Sequence, residues 1–380
     1  MPVKDALIPC QALTRVWKGE TLIAETTGAL TTALPEANGR LLVPRADVRM
    51  DLLGPRPQAA GDDADLVEFD PKDVRVEMTD RRPGIEAQGG TTNRYPRWGD
   101  MRDLLRLLDV APAGEGAFEA PLYGDVRRNV VEGSHILAQT IVAASKTTPH
   151  QRVTSAHVIF SRPAAFDRPL RLDVTAPRLG RTFSTLAVET SQGGKSIASG
   201  LVLTDAGAGE LIRSQVAMPD LPGPDDCPTH DFGVIGRDVR FVNGDYSPDP
   251  DRIGPPEIHG WVRHREAPAE ICLQQALLAQ FTGHMTIAAA MLPHKGFGEA
   301  QAHVTLSTAV LAITIALHEE PDLTDWLLYT NPAIYAGRGL AQGEGHVFSR
   351  KGQLAASYTV QVMVREFQRD PSRLKHDQMM

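Results

Sequence analysis

Residues 130–149 read VVEGSHILAQTIVAASKTTP, and the fold turns on this stretch. Glu132, Gly133 and Ser134 bring helix-capping chemistry ahead of an apolar run. After Lys146-Thr147-Thr148 the chain meets Pro149, which has no N–H with which to continue a helix. Between those ends stand Ile136, Leu137, Ala138, Ile141, Val142, Ala143 and Ala144, with only Gln139 and Thr140 polar. A surface helix keeps a polar face; this one has none and is expected to be wrapped on most sides. Everything after it, down to Thr204, reads as strands. One enclosed helix followed by antiparallel strands implies a sheet curled around it.

The strands are expected at 154–160, 170–176, 183–191 and 197–204. Gly193-Gly194 makes the last two a hairpin. The same programme then returns. Residues 270–280 read as helix, Thr282-Gly283 interrupts it, and 284–292 resumes before Pro293. Strands follow at 304–318, 326–334, 339–349 and 354–366. Arg181, Gly194-Lys195 and Ala198-Ser199 are mirrored by Arg338, Lys351-Gly352 and Ala356-Ser357. A period this long indicates tandem duplication rather than a solenoid.

Residues 1–96 stand apart from the repeat as a small β-rich domain. Its Thr14–Glu25 segment is a hairpin turned at Lys18-Gly19, and Gly54 to Asp65 reads as a linker. The words VWKGETLIAET and PRADVRMDLL resemble the first half of a family of small β-rich domains of unknown function. Asp100 to Val110 is an amphipathic helix leading into the first repeat. The expected organisation is 1–96 N-terminal domain, 97–206 first repeat, 207–238 Pro/Gly/Asp-rich linker, 239–367 second repeat and 368–380 tail. A chain of 380 residues accommodates that many cores.

The net charge of −8 and the lack of a Lys/Arg run point away from nucleic acid. The three cysteines, Cys10, Cys227 and Cys272, are far apart and in no metal spacing, as in a reducing cytoplasm. The twelve histidines are scattered without a HExxH pattern, so no metal is expected. The longest apolar stretch, 304–317, carries Thr305, Ser307, Thr308 and Thr314 and is too short and polar to span a bilayer.

Between Asp100 and Glu366 the chain resembles the acyl-CoA thioesterase II family. The likeness is carried by Val131–Gln139, Phe160-Ser161-Arg162-Pro163 and Gly193-Gly194-Lys195 in the first half. In the second half it rests on Leu292-Pro293-His294, Trp326-Leu327-Leu328-Tyr329, Arg338-Gly339 and Leu354-Ala355-Ala356-Ser357. The resemblance implies an α+β fold, a tandem double hotdog in which two antiparallel sheets each wrap a central helix. It implies hydrolysis of a fatty acyl-CoA or related thioester to free acid and CoA, without a cofactor. It also implies a homo-oligomer formed through the sheets. The family's active site is where this chain departs. Its acid, on the second helix, falls on Gly283. Its Thr or Ser, on the following strand, falls on Ser307 or Val310 according to which end is aligned. Its Gln, near the end of the last strand, falls on Val360, with Gln361 on the opposite face. In the first half, His135 stands where the family has a helix Gln.

Thioester hydrolysis needs donors for an oxyanion and a base for water. The break at Thr282-Gly283 frees backbone N–H groups, and His284 beside it titrates near neutral pH. His284 is therefore the candidate base, with Thr282, Ser307, Thr308 and Thr314 to position water. Glu132 and His135, i and i+3 on the first helix, join Gly283, Gln139 and Arg338 as substrate-binding candidates. Arg127, Arg128 and Lys146 are further candidates for the CoA phosphates. The plainer reading stands beside this one: histidines on apolar helices are more often packed than catalytic, and a Glu at a helix start supports the dipole. With the family acid missing, a non-hydrolytic acyl-CoA-binding or assembly protein is the alternative.

Overall fold

The computed structural model describes residues 7–9, 14–26, 30–32, 41–52, 59–60, 63–69, 74–78, 101–121, 130–166, 168–230, 236–247, 249–302 and 305–367. The chain forms two compact units, residues 1–97 with 233–235, and 98–232 with 236–380. In the first unit, Thr14–Lys18 pairs with Thr21–Thr26 around Gly19, whose φ of 61° suits glycine. The expected hairpin is therefore present. Val16, Ile23, Val43, Val67 and Phe69 make the core of this unit. The expected linker at 54–65 is in part sheet: Ala59–Ala60 pairs with Asp63–Phe69.

The second unit carries helices α1 (Met101–Leu108), α2 (Gly133–Thr147), α3 (Ile271–Gln280) and α4 (Thr286–Met291). Its main strands are β1 (Ala117–Ala120), β2 (Arg152–Phe160), β3 (Leu170–Arg178), β4 (Phe183–Gln192), β5 (Lys195–Asp205), β6 (Arg237–Phe241) and β7 (Gly260–His264). They continue with β8 (Leu306–Leu317), β9 (Leu327–Thr330), β10 (Ala333–Gly337), β11 (Leu340–Ser349) and β12 (Leu354–Glu366). The sheet order is β6-β7-β9-β11-β12-β8-β2-β5-β4-β3-β1, with β10 paired to β11. It is nearly palindromic about the β8–β2 seam. There Ser155 to Ile159 face Ala316 to Ala312, antiparallel, so one continuous sheet serves both halves. This is the tandem double hotdog.

Helix α2 is enclosed as its composition requires: Leu137, Ile141 and Val142 are 0% exposed. It packs against α3, β2, β5 and β8. The expected second helix is broken as anticipated, but it restarts at Thr286, leaving His284 inside the break. The strand expected over 326–334 is two strands. Pro332 removes a ladder donor there, and the neighbouring Asn331 turns inward. Its Oδ1 accepts hydrogen bonds from Thr286 Oγ1 (3.2 Å) and Tyr358 Oη (3.3 Å). Residues 79–100, 122–129 and 368–380 lie outside the described residues, and with them Arg127, Arg128 and the expected tail. Among the described residues no helix is long and apolar enough to cross a membrane.

Candidate active site

Two landmarks meet across the seam. The start of α2 brings Glu132, Ser134 and His135 toward the α3–α4 break, which holds Phe281, Thr282, Gly283 and His284. Glu132 is the residue before α2 and has extended φ/ψ. Its carboxylate Oε2 lies 3.5 Å from His284 Nδ1, with the two side chains only 18% and 4% exposed. That distance is long for a hydrogen bond. The bare Gly283 is closely covered: a Cβ built there would come within 3.0 Å of Ser134 Oγ and 3.1 Å of Ser134 Cβ.

A buried arginine sits behind the pair. Along β6, Arg237, Val239 and Phe241 are buried while Asp238 and Arg240 are half-buried, so the strand's period of two turns Arg237 inward. The guanidinium donates to Gln280 Oε1 (2.7 Å). It also lies 5.6 Å from the centre of the Phe281 ring. Burial lowers its pKa to about 10, against the support of Tyr329 and Glu132, so it remains charged at neutral pH. Tyr329 donates its hydroxyl to the Leu278 carbonyl (3.1 Å), and burial, which lowers the arginine, pushes this phenol up.

Three histidines share this environment. Burial first, and the charge of Arg237 second, lower His284 to about 3 and His264 to about 3. Burial likewise lowers His135 to about 4, with Arg237 the smaller contribution. All three are neutral at pH 7. His284 is therefore a poor proton acceptor at neutral pH, whereas Glu132 beside it brings a carboxylate.

The other residues singled out from the sequence are distributed as follows. Thr282 is buried, and its hydroxyl donates to the Ala279 carbonyl (2.7 Å). Gln139 donates to the Leu107 carbonyl at the end of α1 (2.8 Å). His135 meets the Phe166 ring edge-on, centroids 5.8 Å apart. Thr308 and Ser307 are buried near the start of β8. Thr314 is bonded to His157 Nδ1 (2.7 Å) in an exposed position at the seam. Arg338 is exposed in the β10–β11 turn with a φ of 56°. Of the two glutamine positions, Val360 is 0% exposed, while Gln361 is on the exposed face and bonds to Gln342 (3.3 Å). The irregularity between Val310 and Ala312, opposite Val362 and Gln361, shifts β8 and leaves Gln361 facing out.

Arg237, Gln280 and Ser134 join the site without having been candidates from the sequence. Arg237 was discoverable, because it alternates with Val239 and Phe241. Ser134 had been credited to capping alone.

The cramped position of Gly283 has a direct consequence. Gly283→Asp, which puts a carboxylate at the family's position, should destabilise the chain by about 1–3 kcal/mol through overpacking. Adding Ser134→Gly should relieve most of that cost. The denaturant midpoint checks both, and an unchanged midpoint for Gly283→Asp alone would show that the space is open.

Comparison with known proteins identifies the family. A model of the acyl-CoA thioesterase N-terminal domain matches residues 125–204, and one of the C-terminal domain matches residues 215–364. Together they span well over half of the chain. Acyl-CoA thioesterase 2 of Haemophilus influenzae is 29% identical over 294 residues, covering 70% of this chain and 98% of that protein. Mouse acyl-coenzyme A thioesterase 8 is 22% identical over 311 residues, covering 74% of this chain and 95% of that protein. Among solved structures, the acyl-CoA thioesterase II TesB2 of Mycobacterium marinum has a TM-score of 0.58 and 27% identity, covering 69% of this chain and 98% of that chain. The duplicated sheet, the paired central helices and both domain matches lead to one conclusion: the chain belongs to the acyl-CoA thioesterase II family.

Proposed function

We propose that this protein hydrolyses a fatty acyl-CoA or related thioester, with the acid–base carboxylate supplied by Glu132 instead of a residue at position 283. The observation that carries this reading is the 3.5 Å approach of Glu132 to His284, beside a Gly283 that Ser134 covers. Glu132 takes a proton from water as the water oxygen attacks the thioester carbonyl carbon. The tetrahedral adduct then collapses, the C–S bond breaks, and the CoA sulfur leaves with the proton returned by Glu132. Free acid and CoA are the products, and no cofactor enters.

Neutral His284 orients the carboxylate and the water; it does not abstract the proton. Arg237 supplies a fixed positive charge near the developing oxyanion, where low dielectric strengthens its effect. Thr282 is proposed to hold the helix break in shape. A panel of short, medium and long acyl-CoAs, followed by thiol release, tests the activity. Turnover on at least one chain length is expected. Measurable binding with no CoA release from any of them would instead favour a non-hydrolytic acyl-CoA-binding protein.

A further inference from the structure

The break between α3 and α4 is tied at both ends to one short stretch of chain. β9 runs from Leu327 to Thr330 and leads into Asn331-Pro332. Successive side chains of a strand point to opposite faces. Trp326 and Leu328 pack with Phe348 in a core on one side. Tyr329 and Asn331 therefore share the other side, toward the helices, and both are 0% exposed.

Tyr329 holds the α3 end. The last carbonyls of a helix lack intrahelical partners. The Thr282 N–H closes on the Ala279 carbonyl (3.1 Å) rather than on that of Leu278, and the Tyr329 hydroxyl donates to the Leu278 carbonyl instead (3.1 Å). The Phe281 and Tyr329 rings meet edge-on, centroids 5.1 Å apart. Asn331 holds the α4 end. Met285, the residue before α4, makes no side-chain cap. Thr286, the first residue of α4, donates its hydroxyl to Asn331 Oδ1 (3.2 Å). β11 leaves the room for this, because a Cβ at Gly343 would come within 2.7 Å of Thr286 Oγ1.

Asn331 is itself fixed. Tyr358 Oη donates to the Thr330 carbonyl (3.0 Å) and reaches Asn331 Oδ1 (3.3 Å). The Ile258 N–H donates to the Asn331 carbonyl (3.1 Å). A strand rises only about 6.6 Å over two residues, so the two helix ends are tied at a short, fixed separation. Thr282, Gly283 and His284 lie between the ties.

We infer that Tyr329 and Asn331 are positioning residues, which together brace the break and set where His284 stands against Glu132. Each acts through a helix end rather than on the substrate. That they serve the reaction rests on the reading of the chain as an acyl-CoA hydrolase; that they brace the break rests on these bonds alone. A misplacement of about 1 Å can cost on the order of 10²-fold in rate, so a loosened tie shows in kcat ahead of KM.

Thr286→Val keeps the side chain's shape and removes its donor, and Tyr329→Phe removes only the hydroxyl. Each should lower kcat on acyl-CoA about 10–100-fold with KM within about twofold. Thr286→Ser, which keeps the hydroxyl, should stay within about threefold of the wild type. In an Asn331→Ala chain, Thr286→Val should cause no further loss, because the bond is already gone. Val188→Ala, in the buried face of β4, controls for simple destabilisation and should keep kcat within about twofold at a matched fall in melting temperature. Amide hydrogen exchange over residues 281–286, read by mass spectrometry on the intact chain, should quicken at least about tenfold in Thr286→Val and Tyr329→Phe but not in Val188→Ala. Unchanged exchange in both variants would overturn the inference. So would unchanged kcat despite faster exchange, an equal kcat loss in Val188→Ala, or multiplying losses from Thr286→Val and Asn331→Ala. If the wild type releases no CoA from any acyl-CoA, the hydrolase reading falls; quickened exchange then keeps the brace and unchanged exchange removes it.

Discussion

Glu132→Gln lowers the turnover of acyl-CoA by about 10²–10⁴-fold, the range expected when a general base is removed. The replacement keeps the side chain's length and its place before α2, so packing is preserved and only proton acceptance is lost. Position 283 offers no substitute, because it is glycine and Ser134 fills the adjoining space. His284 offers none at neutral pH, held at about 3 by burial and by Arg237. KM should change little, since a proton transferred in the transition state contributes to kcat more than to ground-state binding. Steady-state thiol release, with melting temperature as a control, reads both quantities. A tenfold rise in KM at constant kcat would make Glu132 a binding residue.

Acid should weaken the fold steeply. In the folded chain His135 is lowered to about 4, and His264 and His284 to about 3, from the ordinary 6.5. As pH falls through 6.5 the unfolded chain binds three protons that the folded chain refuses, so stability drops with pH. The loss continues until each group reaches its folded value. Each histidine contributes up to about 1.4 kcal/mol per pH unit, or about 4 kcal/mol per unit for the three at their steepest. Urea unfolding at pH 7, 6 and 5 measures this. A free energy unchanged between pH 7 and 5 would show that these side chains are hydrated in solution.

Most of the architecture was legible because it follows from local rules. The all-round apolar character of 136–144 required an enclosed helix, and the repeated helix-then-strands order required two such layers. The break after Gln280 was visible in Thr282-Gly283. Two details of the fold were not. The division of 326–334 depends on Pro332 and on the inward turn of Asn331, which only the buried partners Thr286 and Tyr358 explain. The sheet within 54–65 was hidden by a composition that reads as linker.

The candidate site was legible in part. Glu132 and His284 were both singled out, yet nothing in a linear chain states that residues so far apart in sequence meet across a seam. Titration near neutrality was the reason for choosing His284, and burial against Arg237 reverses that property. Burial is the larger cause, and the charge that adds to it sits on a strand outside both helices, where period-two alternation marked it as inward only once the strand was placed.

The proposed mechanism puts the working carboxylate at position 132. Chemical rescue tests it most directly: CoA release by Glu132→Ala is measured as formate is added. The expected result is a rate near background without formate and a saturable, formate-dependent rise toward the wild-type rate, with no such rise in the wild type. A Glu132→Ala variant that hydrolyses acyl-CoA at the wild-type rate without formate would contradict it.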